Sequence, residues 1–106
     1  MIQVAALQIP SALDQETFNN LMMLVSEEKR TRILRFRFAA DALRTLLAEV
    51  LLRLELCERL RVPNSALGFI TNPYGKPYLD RLSGCSFNLA HSGSWVSVAI
   101  GPEPIG

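Results

Sequence analysis

Residues 39–60 read AADALRTLLAEVLLRLELCERL, and this stretch decides the fold. Its apolar side chains recur every three or four residues, which is the spacing of one face of an α-helix. The members of this apolar stripe are Leu43, Leu46, Leu47, Val50, Leu51, Leu54 and Cys57. The charged residues that fall off or beside the stripe are Arg44, Glu49, Arg53 and Glu55. At 1.5 Å per residue the predicted helix is about 30 Å long, which is enough to brace a small sheet.

The segments before this helix predict one strand and two short helices. Residues 2–9, IQVAALQI, are apolar apart from two glutamines and predict a strand. Residues 14–24 begin with acidic side chains, which the dipole favours at a helix N-terminus, and they predict a helix. Ser26 is the expected N-cap of a second short helix with the sequence EEKRTRILRF.

The segments after the long helix lose the helical period and predict short strands. The sequence from Asn72 to Gly75, NPYG, is a turn signal that follows an apolar run at 67–70. Residues 86–91 and 95–100 predict two further strands, with Ser92 and Gly93 as their hairpin turn. A strand, then helices, then several strands indicates an α+β fold, because a parallel sheet would need alternating strands and helices.

Length and composition exclude several classes of protein. The 106 residues are 49% apolar and carry a formal net charge of +1, which suits one small domain spanning residues 1–106. The balanced charge does not suggest a nucleic-acid partner, although a small net charge can hide a local patch. A zinc site built on several histidines is excluded, because the chain has one histidine.

Targeting signals and cysteine spacing point to a soluble, cytoplasmic protein. The most apolar segment, near 42–60, is interrupted by charged residues, whereas a membrane span needs about 20 mostly apolar residues in a row. The N-terminus lacks the basic region of a signal peptide. Cys57 and Cys85 form no CxxC pair, and we expect reduced thiols.

Positive charge is concentrated in one window of the sequence. Of the 11 basic residues, six fall between residues 29 and 44: Lys29, Arg30, Arg32, Arg35, Arg37 and Arg44. Lys29 and Arg32 are three residues apart and would share one face of the second helix. Such a cluster suits an anionic ligand, because arginine offers paired donors to phosphate. The alternative is a solvated helix face whose cations pair with Glu27 and Glu28.

Outside this window, single residues carry little chemistry by themselves. His91 in FNLAHSG is a possible donor at a strand end, and Lys76 follows the predicted turn, but either is also an ordinary surface residue. Ser92 lies in no GxSxG elbow and has no second histidine to act with, which argues against a serine hydrolase. No pair of carboxylates is spaced for metal binding or acid–base work, so no catalytic or metal-binding residue is assigned.

Three segments that occur in order carry a family resemblance: FRFAADALRTLLAEVLLR, NPYGKPYL and FNLAHSGSWVSVAIGPEPIG. Together they strongly resemble the N-terminal half of the Sfp-type 4′-phosphopantetheinyl transferases, over nearly the whole chain. The most specific parts are the GKP turn and the FN-x-x-HSG-x-W strand pair with IG at its end.

The resemblance implies a fold and an activity. The family fold is a pseudodimer of two α+β halves, so this chain would be one half, with its long helix packed on a small antiparallel sheet. Coenzyme A lies in the cleft between the halves, and a magnesium ion binds its pyrophosphate. The enzymes transfer the phosphopantetheine arm of coenzyme A to a serine of an acyl or peptidyl carrier protein.

The resemblance also implies eight coenzyme-binding positions. These are Lys29, Arg32, Arg44, Thr45, Gly75, Lys76, Pro77 and His91. Lys29 and Arg32 match basic positions at the coenzyme phosphates, and Arg44 and Thr45 match positions near the 3′-phosphate. The residues from Gly75 to Pro77 match the turn beside the adenine, and His91 matches a histidine that reaches the 3′-phosphate. Ala90 departs from the family pattern, which commonly has a serine there.

The family's metal-binding carboxylates and its catalytic glutamate and lysine are not matched in this sequence. They follow the IG at which this chain stops, so the chain is expected to end before the metal-binding strand and to be inactive alone. Its partner would be the missing C-terminal half, or a second copy of the chain. The candidates for the apolar interface are Trp95, Val98 and Ile100, although some of them must belong to the core. The alternative is a non-catalytic module that binds coenzyme A or a nucleotide, or that only dimerises. A complete small oligomeric enzyme ranks last, because short synthases of that kind carry their own acidic ligands.

Overall fold

A computed structural model describes residues 2–71, 73–74, 77–80 and 85–102 of the chain. The helices are α1 (Gln15–Met22), α2 (Glu27–Leu34) and α3 (Ala39–Leu60), and a 3₁₀ turn follows at Asn64–Ala66. The strands are β1 (Gln3–Gln8), β2 (Gly68–Thr71), β3 (Pro77–Asp80), β4 (Ser86–Ser92) and β5 (Trp95–Gly101). The α+β class is confirmed, and the predicted strand, three helices and later strands occur in the expected order, but β3 and the 3₁₀ turn were not predicted.

Two small antiparallel sheets lie beside the helices. The larger sheet has the order β1-β5-β4, and its register places Val98 between Ala5 and Leu89. The smaller sheet pairs β2 with β3. The β4–β5 turn was predicted one residue too early, because Ser92 still pairs with Trp95 and the loop is Gly93 and Ser94. Gly93 has φ +58°, which a two-residue hairpin loop needs and glycine adopts without steric cost.

Capping side chains fix where the two short helices begin. The Asp14 side chain accepts a hydrogen bond from the Thr17 backbone N–H at 2.6 Å, and α1 starts behind it. Hydrogen bonds from the side chain and the backbone of Thr17 hold the pKa of Asp14 below its usual value. Ser26 caps α2 through the Lys29 N–H at 3.2 Å, which confirms the predicted N-cap.

The long helix α3 contributes to two hydrophobic clusters. Its C-terminal half packs on the sheets in the sheet cluster, which comprises Leu52, Leu56, Leu67, Leu79, Cys85, Phe87, Val98 and Ile100. Its N-terminal half packs on α1 and α2 in the helix cluster, which comprises Met22, Val25, Ile33, Leu46 and Val50. The structure therefore confirms a long helix packed on a small antiparallel sheet, and it adds a second packing layer that the apolar stripe did not reveal.

Packing on two sides changes which residues of α3 and β5 are buried. Glu49 and Arg53 were expected beside the apolar stripe but are each only 7% exposed, whereas Leu54 is 61% exposed. Of the three interface candidates, some of which were expected to belong to the core, Val98 and Ile100 lie in the core beneath α3 and are therefore excluded from an open interface. Trp95, the third candidate, is half-exposed.

Two predicted absences can be compared with the described part of the chain. None of the helices in residues 2–71, 73–74, 77–80 and 85–102 has the length and apolar character that crossing a membrane requires. Cys57 and Cys85 are not joined by a disulfide.

Candidate functional site

A groove of about 490 Å³ opens where α2, α3, β3 and β4 meet, and we call it the basic groove. Six of the eight coenzyme-binding residues expected from the family resemblance line this groove: Lys29, Arg32, Arg44, Thr45, Pro77 and His91. The other two, Gly75 and Lys76, lie outside the described residues. Residues separated by more than 60 positions in the chain are thus brought to one surface.

Regular local structure places each of these side chains. The Ser26 cap sets the start of α2, and from there Lys29 and Arg32 lie one turn apart on its groove side. Arg44 and Thr45 follow in the second turn of α3. On β4 the two-residue alternation places His91 on the same face as Leu89, and His91 pairs with Val96 of β5.

Two cations of the basic groove, Arg44 and Arg32, are only weakly engaged by other side chains of the described residues. Arg44 pairs with Asp41 at 2.7 Å, but both side chains are about one-third exposed, and such surface pairs contribute little stability. Arg32 is exposed, and within the described ranges no ion pair is found for it. Lys29 pairs with Glu49 of α3, with 3.7 Å between Nζ and Oε1, and not with the expected Glu27 or Glu28.

A buried polar chain behind the groove was missed by the sequence analysis. The Arg53 Nε donates to Glu49 Oε2 at 2.9 Å, and the Arg53 Nη1 donates to Asn64 Oδ1 at 2.9 Å. Asn64 in turn donates to the Leu24 carbonyl at 2.8 Å. The i, i+4 spacing of Glu49 and Arg53 is a helix-pair signal that could have been used. The partners at positions 64 and 24 leave no comparable trace, because they meet only in the folded chain.

A second groove of about 550 Å³ adjoins the first at the N-terminus of α2. It is lined there by Ser26, Glu27 and Glu28, and on the far side by Phe69, above whose ring the Arg53 guanidinium carbon lies 5.2 Å from the centroid. Because the two grooves share Lys29, Arg32 and Glu49, a ligand longer than one phosphate could extend along both.

The donor set on the described surface suits an anion. Three permanent cations and one imidazole face the basic groove, against the single carboxylate of Glu49. In the portion of the chain that the structure describes, no three His, Cys, Asp or Glu side chains cluster closely enough to hold a metal ion. These residues can therefore bind and orient phosphate groups, but with a single carboxylate among them they do not fit a magnesium site.

Comparison with known proteins links this geometry to one family. A family model described as 4′-phosphopantetheinyl transferase, N-terminal, matches residues 12–103. The chain is 39% identical to the 4′-phosphopantetheinyl transferase gsp of Aneurinibacillus migulanus, over 100% of this chain and 44% of that protein. It is 36% identical to the 4′-phosphopantetheinyl transferase Sfp of Bacillus subtilis (strain 168), over 99% of this chain and 47% of that protein. The chain thus spans less than half the length of these curated relatives.

Proposed function

Because the chain belongs to the Sfp-type 4′-phosphopantetheinyl transferase family, as its N-terminal half, we propose that it supplies the coenzyme A-binding side of a transferase. The complete enzyme would move the phosphopantetheine arm of coenzyme A to a serine of an acyl or peptidyl carrier protein. The names of the relatives support phosphopantetheinyl transfer, and the basic groove is the feature of this chain that fits its substrate.

One observation carries the proposal: Lys29, Arg32, Arg44 and His91 reach the same groove from α2, α3 and β4. Coenzyme A has a 3′-phosphate and a pyrophosphate, and each phosphate group requires several donors. Arginine and lysine supply charge-assisted hydrogen bonds, which are about twice as strong as neutral ones. A groove with this donor set therefore suits a ligand with more than one phosphate better than a singly charged ligand.

The proposed division of labour follows the position of each side chain. Lys29 and Arg32, on the boundary between the two grooves, would bind the coenzyme phosphates. Arg44, Thr45 and His91, on the other flank of the basic groove, would bind the 3′-phosphate.

The adenine would lie against Pro77; the family resemblance also assigns Gly75 and Lys76 to the adenine site, and both lie outside the described residues. Ala90 lines the groove without a hydroxyl, so this position would add no hydroxyl contact to the proposed 3′-phosphate site.

We propose that this chain holds and orients coenzyme A without itself performing the transfer. The carboxylates that bind magnesium and the base that activates the carrier serine would come from the second half. That half would cover the outer face of the larger sheet, where Val4 and Trp95 lie on the same side and are 68% and 48% exposed. In its absence the same face would favour self-association, which light scattering would detect.

Calorimetric titration with adenosine 3′,5′-bisphosphate tests the binding site. We expect the double variant Lys29→Ala with Arg32→Ala to bind at least about tenfold more weakly than the wild-type chain, because two charge-assisted contacts are lost. The matched control is Arg35→Ala with Arg37→Ala, which removes the same charge from exposed positions that do not line the grooves. Equal weakening of both double variants would mean that general charge attracts the ligand, and the proposed site would be wrong.

A transfer assay tests the division of labour. With coenzyme A, magnesium and an apo carrier protein, we expect no transfer by the chain alone and transfer when the C-terminal half of a relative is added. Transfer by the chain alone would contradict the proposal. Binding that never leads to transfer would favour the alternative of a non-catalytic coenzyme-binding module.

A further inference from the structure

The Lys29 ammonium is held at the junction of the two grooves by a carboxylate that is itself fixed. Glu49 uses one carboxylate oxygen for each neighbour: Oε1 lies 3.7 Å from Lys29 Nζ, and Oε2 accepts from Arg53 Nε at 2.9 Å. Both Glu49 and Arg53 are 7% exposed. The Glu49 carboxylate lines both grooves, but its low exposure and a partner for each oxygen limit the rotamers available to it.

The far end of this polar chain ties it to the elements that carry α2. Arg53 is fixed by the Asn64 side chain and by the Phe69 ring, and Asn64 donates to the Leu24 carbonyl just before the Ser26 cap. The chain of contacts therefore starts in the link between α1 and α2, passes through α3, and returns to α2 at Lys29. Moving any member changes where the ammonium lies relative to the groove.

We propose that Glu49 is a positioning residue for ligand binding, acting through Lys29; the inference rests on the proposed function, because it takes the ligand to be the coenzyme phosphates. Lysine loses up to about 2 kcal/mol of side-chain entropy when it is ordered. If the ion pair with Glu49 already orders the Lys29 side chain in the free protein, this entropy is lost on folding and not on binding. The ligand then meets a preorganised side chain. Glu49 does not contact the ligand, since a carboxylate and a phosphate repel each other.

The positioning role and simple electrostatics predict opposite effects of a Glu49 substitution on ligand affinity. Replacing a carboxylate beside an anion site removes repulsion, so Coulomb's law alone predicts that Glu49→Gln tightens binding. If Glu49 positions Lys29, the same variant weakens binding, because glutamine keeps one acceptor and turns an amide N–H₂ towards one of its two cationic neighbours.

A double-mutant cycle measured by calorimetry with adenosine 3′,5′-bisphosphate tests the inference. In the wild-type background we expect Glu49→Gln to weaken binding roughly three- to thirtyfold, which lies within the range for coupled neighbours. In a Lys29→Met background we expect Glu49→Gln not to weaken binding, because the residue through which it acts is gone and only the relief of repulsion remains. A merely structural role would weaken binding equally in both backgrounds, and tighter binding in the wild-type background would also overturn the inference.

Glu55→Gln is the matched control. It removes the same charge from the same helix, but Glu55 accepts from Gln3 Nε2 at 2.9 Å and does not line either groove. We expect its affinity to equal that of the wild-type chain.

Glu49→Asp keeps the experiment decisive if Glu49→Gln fails to fold, which its circular dichroism spectrum would show. Aspartate retains the charge beside Arg53 but reaches less far towards Lys29. We expect a smaller loss of affinity that again vanishes in the Lys29→Met background, and a loss that persists there would overturn the inference.

If the wild-type chain does not bind the bisphosphate, the proposed function fails and the inference with it. If Lys29→Met weakens binding but the Glu49 variants are additive with it, only the inference fails.

Discussion

The sheet cluster and the helix cluster share α3, but different contacts hold them together. In the sheet cluster, Leu56 and Ile100 are completely buried and pack among apolar side chains such as Phe87. Beside the helix cluster, polar side chains hold the backbone. Arg30 donates to the carbonyls of Met22 and Val25 at 3.2 and 2.6 Å, and Asn64 donates to the Leu24 carbonyl.

This difference separates stability from the geometry of the groove. Apolar burial is non-directional, so the sheet cluster contributes mainly to the free energy of unfolding. Hydrogen bonds are directional, so those in the link between α1 and α2 determine how α2, with Lys29 and Arg32, lies on α3. We therefore expect substitutions in the two clusters to differ in both the size and the kind of their effects.

The largest effect is expected from Leu56→Ala in the sheet cluster. The variant leaves a cavity at a completely buried position, and such changes cost about 2–5 kcal/mol of unfolding free energy. Urea unfolding followed by circular dichroism measures it. Leu54→Ala is the control, because Leu54 lies on the same helix but is largely exposed, and we expect it to cost far less. Equal losses of unfolding free energy in Leu56→Ala and Leu54→Ala would contradict the contrast between core and surface positions on α3.

A smaller effect on stability, with a clear effect on the groove, is expected from Arg30→Ala. The variant leaves the Met22 and Val25 carbonyls without this donor, and hydrogen bonds to charged groups contribute about 1.5–3 kcal/mol each. We expect part of that loss in urea unfolding, together with weaker bisphosphate binding in calorimetry, because the start of α2 moves. Arg35→Ala, at the exposed end of α2, should change neither. Unchanged affinity in Arg30→Ala would show that the link does not position the groove.

The smallest effect is expected from Asp14→Asn at the start of α1. The pKa of Asp14 is lowered in the folded chain, so its charge stabilises the fold at pH values above its unfolded pKa, near 3.8. That contribution is lost as the pH falls through the folded pKa. Wild type should therefore be slightly more stable than Asp14→Asn near neutral pH, and the two should converge in urea unfolding at lower pH. A difference in unfolding free energy between the two proteins that persists in acid would show that hydrogen bonding, and not charge, is responsible for it.

Sequence alone predicted the features that depend on local patterns. The helix at 39–60, the Ser26 cap and the strand alternation of β4 each need only a few neighbouring residues, and the structure confirms them. The apolar stripe of α3 is confirmed only in part, because Leu54 is exposed while Leu52 and Leu56, which the predicted stripe did not include, are buried. The groove residues came from the family resemblance, and the structure brings six of the eight together. The burial of Glu49 and Arg53 could not be predicted from local patterns. The hydrogen bonds that continue from Arg53 to Asn64 and on to Leu24 join residues that lie 40 positions apart. For Val98 and Ile100, alternation identified one face of β5 but not which face α3 covers.

The position of the groove gives bound ligand a further role in the energetics of the chain. Lys29 belongs to the layer of short helices and His91 to the larger sheet, so a molecule that contacts both bridges two differently stabilised regions. Ligand that binds only the assembled form adds RT ln(1 + [L]/Kd) to the free energy that keeps the regions together, about 2.7 kcal/mol at a hundredfold excess over Kd. Local opening of α1 and α2 would become rarer as ligand concentration rises, and the amide hydrogens of these helices would exchange more slowly.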